Sequence, residues 1–235
     1  ISRLAVDDHV EDALAVVRGA GWDRERFVTG GWSMGVELGL EIYHHLPRNV
    51  IGLVLINGAF EHVLSTAFGL PKADVFFRAL ADGLYRAGPL FAALPGWLLT
   101  QPWSIGVIKS LRLVTANDAF FAEVAQDFKD LDFPTYFLMI KRLDEHSARP
   151  ILTTVRVPTL ITAGAADKMT PLAVSAEMHR DIDGSELFVI PNGTHYATLE
   201  YPEIVNLRVD HFFRRRVFST TWDAPAANEG RAGAA

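Results

Sequence analysis

A serine in the sequence Gly31-Trp32-Ser33-Met34-Gly35 is a candidate nucleophile. The segment fits the pattern G-x-S-x-G and lies between a predicted strand and the start of a predicted helix. A sharp turn there would lift the hydroxyl out of the sheet, and glycine on either side would let helix and strands approach closely. The pattern therefore predicts attack by Ser33 on a carbonyl carbon through a covalent intermediate. The alternative is a glycine-rich helix start without chemistry.

A serine hydroxyl needs a base within hydrogen-bond reach and a third group that orients this base. Among the eight histidines, His195 is distinguished by its loop, which follows a predicted strand and precedes the last helix. Asp167 lies in the same kind of loop after another strand, and parallel sheets place catalytic groups at these carboxyl ends. We predict Ser33 as nucleophile, His195 as base and Asp167 as acid. Glu61 follows a further predicted strand and is an alternative acid with a weaker context.

Strands and helices that alternate along the chain are needed to position these loops. Apolar residues at three- and four-residue steps predict one helix after Asp7 or Asp8 and another after the Ser33 turn. Strand and helix alternation indicates an α/β fold with a parallel sheet and right-handed crossovers. The predicted strands cover residues 26–30, 50–56, 159–163 and 187–190, and the later helices cover residues 171–180 and 202–215.

A long helical region interrupts this alternation. Residues 60–150 show helical patterns broken by prolines and no convincing strand, which predicts an inserted all-helical cap. The α/β core would then comprise residues 1–59 and 151–218, and the small polar residues of 219–235 predict a disordered tail. Most aromatic residues of the cap should form its own core. The tryptophans Trp32, Trp97 and Trp103 are candidates for lining an apolar pocket.

Composition excludes several classes of function. The net charge of -6, with scattered Lys and Arg, argues against a nucleic-acid partner. The absence of cysteine excludes disulfides, thiolate metal sites and a cysteine nucleophile, and we expect neither a metal nor an organic cofactor. No apolar run reaches the roughly 18 residues of a membrane span. No signal peptide is visible, which slightly favours the cytoplasm, and the oligomeric state is not predicted.

These segments together resemble the α/β-hydrolase superfamily, in its esterase, lipase, C–C hydrolase and haloperoxidase branches. The resemblance covers residues 4–217, with GWSMG, GAADKMTP and PNGTHY as its specific parts. It implies that Ser33, Asp167 and His195 form a catalytic triad and that the backbone N–H of Met34 donates to the oxyanion. Trp32 stands where the family often has His, which would narrow the pocket.

The resemblance also implies strands that this sequence does not contain. Family members carry four further strands before the helix that begins here, with a second oxyanion donor in the loop after the third. We therefore expect the chain to be a fragment with low activity on its own. The strand before Ser33 should lie at an exposed edge of the sheet.

The activity implied by the resemblance is cleavage of a carboxylic ester or related acyl bond in a small apolar molecule. C–C bond hydrolysis and cofactor-free haloperoxidation use the same triad and stay open as alternatives. A catalytically silent fragment or binding module is an alternative from a different class.

Overall fold

The chain forms an α/β fold around a parallel sheet. The computed structural model describes residues 3–67, 73–86, 94–99, 101, 103–115 and 131–218. Four strands pair in parallel in the order β1-β2-β3-β4, which confirms the predicted fold class. The strands are β1 (Phe27–Trp32), β2 (Val50–Ile56), β3 (Thr159–Gly164) and β4 (Glu186–Ile190).

The two central strands are the most buried parts of the sheet. Every residue of β3 is buried, and β2 is buried at all but its second and last residues. Strands covered on both faces need apolar side chains throughout, which explains the near-continuous apolar sequence of β2. Leu53 of β2 pairs with Thr159 of β3, and Ile56 pairs with Thr162. Because all four strands run in one direction, the loops after their carboxyl ends lie along one edge of the sheet.

Helices cover both faces of this sheet. On one face, α2 (Gly35–His45) and α9 (Leu172–Asp181) share a core with Leu53 and its neighbours. On the other face, α11 (Pro202–Phe212) packs its last residue against Val54. Burying a leucine or valine side chain contributes roughly 1.5–3 kcal/mol, so these two cores hold the helices to the sheet.

The helices are the regular secondary structure of the described parts of residues 60–150, apart from an isolated bridge between Glu61 and Ser147. The N–H of Ala148 donates to the carbonyl of Phe60 (2.8 Å), so the two ends of this region meet beside the sheet. The division into core and cap stays a prediction, and the predicted tail lies outside the described residues. The remaining helices are α1 (Val6–Gly19), α3 (Val63–Thr66), α4 (Ala73–Arg86), α5 (Leu94–Leu99), α6 (Ser104–Ser110), α7 (Phe133–Asp144), α8 (Arg149–Leu152) and α10 (Ala197–Glu200).

Two predicted elements end two or more residues away from the predicted position. The first strand begins at Phe27 and continues to Trp32 instead of ending at residue 30, because its pairing with β2 extends as far as Ile56. The last helix ends at Phe212 instead of near residue 215, and a π-helical turn, Phe213–Val217, follows it.

β1 and β4 are the edge strands of the described sheet. The strand before Ser33 therefore lies at an edge, as expected. Within the ranges that the structure describes, no helix has both the length and the apolar character needed to cross a membrane.

Candidate active site

Ser33 lies in a strained turn between β1 and α2. Its φ of 57° is in the left-handed region, which costs a residue other than glycine on the order of 1–3 kcal/mol. The Ser33 N–H donates to the carbonyl of Ile56 (3.0 Å), and the Ser33 carbonyl accepts from the N–H of Val36 (3.0 Å). These two bonds hold the turn against β2 and α2, and they leave the half-buried Ser33 side chain at the carboxyl edge of the sheet.

Only one of the two motif glycines is required by close packing. A Cβ on Gly31 would lie 2.1 Å from the carbonyl oxygen of Gly35, which is far inside contact distance. A Cβ on Gly35 would meet nothing within 4 Å. The expectation of close approach at both positions was therefore wrong for Gly35, because its backbone makes the contact while its Cβ direction is open.

His195 lies in the loop after β4, buried next to Ser33. Its Nε2 is 2.9 Å from the Ser33 Oγ, and the residue is 3% exposed. The indole N–H of Trp32 donates to the His195 carbonyl (2.9 Å). Glu200 of α10 accepts from the Thr194 N–H and from the Thr194 hydroxyl, both at 2.8 Å. The loop is therefore held on both sides of the imidazole.

Asp167 lies in the loop after β3 and faces the other nitrogen of the same imidazole. Its Oδ2 is 3.0 Å from the His195 Nδ1, and its side chain is fully buried. Oδ1 accepts from the backbone N–H groups of Met169 and Thr170, each at 2.8 Å, and Oδ2 accepts from the Thr170 hydroxyl at 2.8 Å. These bonds fix the carboxylate in the orientation that directs Oδ2 toward the imidazole.

Two further residues contact this acid without having been predicted from the sequence. The Asn57 side-chain amide is 3.4 Å from Asp167 Oδ2, and the Thr170 hydroxyl is also 3.3 Å from His195 Nδ1. Asn57 directly follows β2, so its place at the carboxyl edge was a signal that the sequence did offer. The three predicted residues and these two form one hydrogen-bonded cluster, with Ser33 at its accessible end.

The N-terminus of α2 lies directly behind Ser33. Within the described residues, the Met34 N–H makes no backbone hydrogen bond, as is usual for the first N–H groups of a helix. The helix dipole adds partial positive charge at this end. The assignment of the Met34 N–H as an oxyanion donor stays a prediction.

Aromatic rings flank the imidazole. The Trp32 ring centroid is 5.2 Å from that of His195 and 5.5 Å from that of Tyr196, and Trp32 is 40% exposed. Burial raises the pKa of Tyr196 to about 12, and nearby Tyr136 and Asp167 add to this shift. Trp32 therefore presents an apolar surface to solvent beside Ser33, and the Tyr196 ring packs against Trp32.

The other two candidate pocket residues lie in the helical region. Trp97 is in α5 and Trp103 directly precedes α6, and they are 57% and 56% exposed. The contacts that the structure describes place neither ring beside Ser33 or His195. Their assignment to a pocket stays a prediction.

Glu61, the alternative acid, is engaged elsewhere. Its carboxylate accepts from the Ser147 hydroxyl (2.6 Å) and from two nitrogens of the Arg149 guanidinium (2.9 and 2.7 Å). The hydrogen bond from Arg149 lowers the pKa of Glu61, and the hydrogen bond from Ser147 adds to this. In the described structure, the carboxylate that contacts the His195 imidazole is therefore that of Asp167, not that of Glu61.

A second buried acid lies on α2, one turn after the nucleophile. Burial, and to a lesser extent the nearby carboxylates of Glu41, Asp144 and Glu61, raise the pKa of Glu37 from 4.5 to about 9. Its two oxygens have no hydrogen-bond partner among the described residues, and the His146 Nε2 lies 4.0 Å away. Because the folded state keeps this proton and the unfolded state releases it above pH 4.5, Glu37 destabilises the fold as pH rises through this window.

A cavity of about 310 Å³ lies at the opposite, amino end of β1. It is separated from the Ser33 turn by the length of the strand, so it is not part of the candidate site. Its lining residues are Leu14, Arg18, Asp23, His45 and Leu46.

Known proteins share this architecture. The chain is 24% identical over 185 residues to a Shigella flexneri protein named as carbamate hydrolase RutD, covering 77% of this chain and 64% of that protein. It is 25% identical over 217 residues to the proline iminopeptidase of Saccharolobus solfataricus, covering 76% of this chain and 69% of that enzyme. The chain thus spans slightly less than two thirds of the length of the first relative.

The esterase EaEST from Exiguobacterium antarcticum superposes with a TM-score of 0.65 at 18% identity, covering 90% of this chain and 75% of the esterase. An identity this low shows a shared fold and nothing about the substrate. The model of the alpha/beta hydrolase family matches residues 2–207, which is most of the chain. This match shows that the chain belongs to the alpha/beta hydrolase family.

Proposed function

We propose that the protein is a serine hydrolase that cleaves a carboxylic ester of an apolar small molecule through an acyl-enzyme. The observation that carries this proposal is the continuous chain of hydrogen bonds from Ser33 Oγ through the His195 imidazole to Asp167 Oδ2 (2.9 and 3.0 Å). A nucleophile, a base and an orienting acid in this order are what acyl transfer at a serine needs.

In the first step, Ser33 Oγ attacks the ester carbonyl carbon and its proton passes to His195 Nε2. Asp167 accepts a hydrogen bond from the His195 Nδ1–H, which orients the imidazole, and it stabilises the imidazolium that forms. The carbonyl oxygen becomes an oxyanion, to which the Met34 N–H donates at the positive end of α2. Collapse of this intermediate breaks the ester C–O bond, and His195 returns the proton to the leaving alcohol.

In the second step, water attacks the acyl-enzyme with His195 again accepting the proton. The new tetrahedral intermediate releases the carboxylic acid, and Ser33 regains its proton. Two moderate barriers replace one high barrier, which is the advantage of a covalent route.

The apolar substrate class is argued from the surroundings of Ser33. The exposed face of Trp32 lies beside the nucleophile, where an acyl chain or aromatic group could cover it. Burying such a group gains free energy from the hydrophobic effect, whereas a charged group there would lose hydration. An esterase fold neighbour and a relative named as a carbamate hydrolase agree with hydrolysis in general.

The experiment measures hydrolysis of 4-nitrophenyl acetate, butyrate and hemisuccinate by the chain and its variants. We expect kcat/KM to rise by about tenfold from acetate to butyrate and to fall for the charged hemisuccinate. Ser33→Ala should lower kcat by on the order of 10⁶-fold.

The matched control is Ser110→Ala, which removes an exposed hydroxyl that donates to the Val107 carbonyl (2.7 Å) in α6. This variant should keep wild-type turnover. Ester hydrolysis that survives Ser33→Ala, or a preference for the charged ester, would contradict the proposal.

A further inference from the structure

Asn57 occupies an unusual position at the end of β2. It is 1% exposed, and its φ of 42° lies in the left-handed region, which Asn tolerates better than most residues. Its N–H donates to the Thr162 carbonyl of β3 (2.9 Å), so the turn is attached to the neighbouring strand. The side-chain Oδ1 is buried without a hydrogen-bond partner among the described residues, so the side chain is held through its Nδ2 alone.

The Asn57 amide nitrogen has two partners from two different loops. Nδ2 lies 3.0 Å from the Thr194 carbonyl and 3.4 Å from Asp167 Oδ2. The orientation of the amide follows from these partners, since both are acceptors and only the NH₂ group can donate to them. One side chain therefore connects the loop of the acid with the loop of the base.

Both contacts involve the acid itself or the residue next to the base. Thr194 directly precedes His195, and Asp167 Oδ2 is the oxygen that faces His195 Nδ1. The amide thus acts on the relative placement of the carboxylate and the imidazole. A displacement of either loop changes the length of the hydrogen bond between His195 Nδ1 and Asp167 Oδ2.

We propose that Asn57 is a positioning residue that holds Asp167 and the His195 loop at the distance and orientation that catalysis needs. This inference rests on the proposed function, and it assigns Asn57 no contact with the substrate. Hydrogen bonds to a charged partner contribute enough that their loss should lower kcat by about 10- to 100-fold. Because the substrate is not touched, KM should stay within about twofold.

Asn57→Asp is the most informative variant. Asp has nearly the same size and also tolerates a left-handed backbone, but its carboxylate cannot donate to the Thr194 carbonyl or to Asp167. A second negative charge beside Asp167 favours the protonated imidazole, which cannot act as base. The acid limb of the kcat/KM profile should therefore move to higher pH by about one unit.

Asn57→Gly is the second variant, because it accepts the left-handed backbone while it removes the whole amide. It should lower kcat without adding charge, so its acid limb should move less than that of Asn57→Asp. The control is Ser175→Ala, which removes a buried hydroxyl on α9 that has no hydrogen-bond partner among the described residues. This control should leave kcat and the pH profile unchanged.

A readout independent of turnover is the ¹H NMR signal of the proton between His195 Nδ1 and Asp167. We expect a low-field signal in the wild type and in Ser175→Ala, and a shifted or broadened signal in both Asn57 variants. A wild type that hydrolyses no ester but shows this pattern would overturn the proposed function and support the positioning role.

The positioning role is wrong if both Asn57 variants fold, keep kcat within about twofold and show an unmoved acid limb. It is equally wrong if both variants fail to fold, as judged by circular dichroism, since Asn57 would then serve the whole fold. If only Asn57→Asp fails to fold, the kcat and the NMR signal of Asn57→Gly decide whether the positioning role is right.

Discussion

Adding one methyl group at Gly31 should damage the site much more than adding one at Gly35. A Cβ at Gly31 would lie 2.1 Å from the Gly35 carbonyl oxygen, 2.2 Å from its carbonyl carbon and 2.6 Å from its Cα. Ordinary van der Waals contact begins at 3.4 Å and this contact would be 2.1 Å, so the two groups would have to move apart by the difference of 1.3 Å. All three contacted atoms are backbone at the start of α2, so the Ser33 turn itself must move.

A displacement of about 1 Å at a reacting group typically lowers the rate by about 10²-fold. Overpacking adds a loss of about 1–3 kcal/mol in the free energy of unfolding. Gly31→Ala should therefore lower kcat/KM on 4-nitrophenyl butyrate by about 10²-fold and also lower Tm. Gly35→Ala should keep kcat/KM within about twofold and keep or raise Tm, since alanine is the better helix former.

The assay compares steady-state kinetics and thermal unfolding of the wild type and the two variants at equal concentration. The comparison is internal, because both variants add one methyl group within the same motif. Equal kcat/KM values for the two variants would refute the packing argument, whichever way they differed from the wild type. A Gly31→Ala variant with normal turnover would show that Ser33 tolerates a relaxed turn.

Four further predictions concern the side chains of Asp167, Glu61, Trp32 and Glu37. Asp167→Asn should lower kcat by about 10⁴-fold. The double variant with His195→Ala should lose little more kcat than His195→Ala alone. Glu61→Gln should keep wild-type turnover. A large loss of turnover in this variant would show that Glu61, and not Asp167, is the acid. Trp32→Phe keeps an apolar ring but loses the donor to the His195 carbonyl, so kcat should fall by about fivefold. An unchanged kcat would show that this hydrogen bond does not contribute to catalysis. Glu37→Gln should raise the free energy of unfolding at about pH 7 by up to about 3 kcal/mol, with no gain at about pH 4. Urea unfolding at both pH values checks this, and a gain equal at both would contradict the raised pKa of Glu37.

The positions of Ser33, Asp167 and His195 were predictable because each follows a strand of the same parallel sheet. Once the strands are recognised from their apolar runs, the loops at their carboxyl ends must lie along one edge. The order of the residues along the chain then matches the family. Geometry brings the three side chains together, while their catalytic roles stay a proposal.

The place of Asn57 directly after β2 was predictable from the sequence, but its contacts were not. Its contacts reach Asp167 and Thr194, which are 110 and 137 positions away, and its left-handed backbone has no sequence signature. The difference between Gly31 and Gly35 is hidden for the same reason. It depends on the direction of a Cβ relative to a turn whose shape is set by pairing with β2.

The central claim is that Ser33 is an activated nucleophile, and covalent labelling tests it most directly. A fluorophosphonate probe should react with Ser33 alone among the nine serines, as read by mass spectrometry of the digested protein. The adduct should disappear in Ser33→Ala and form much more slowly in His195→Ala. An adduct on any other serine that persists in Ser33→Ala, or an unlabelled wild-type chain, would contradict the claim.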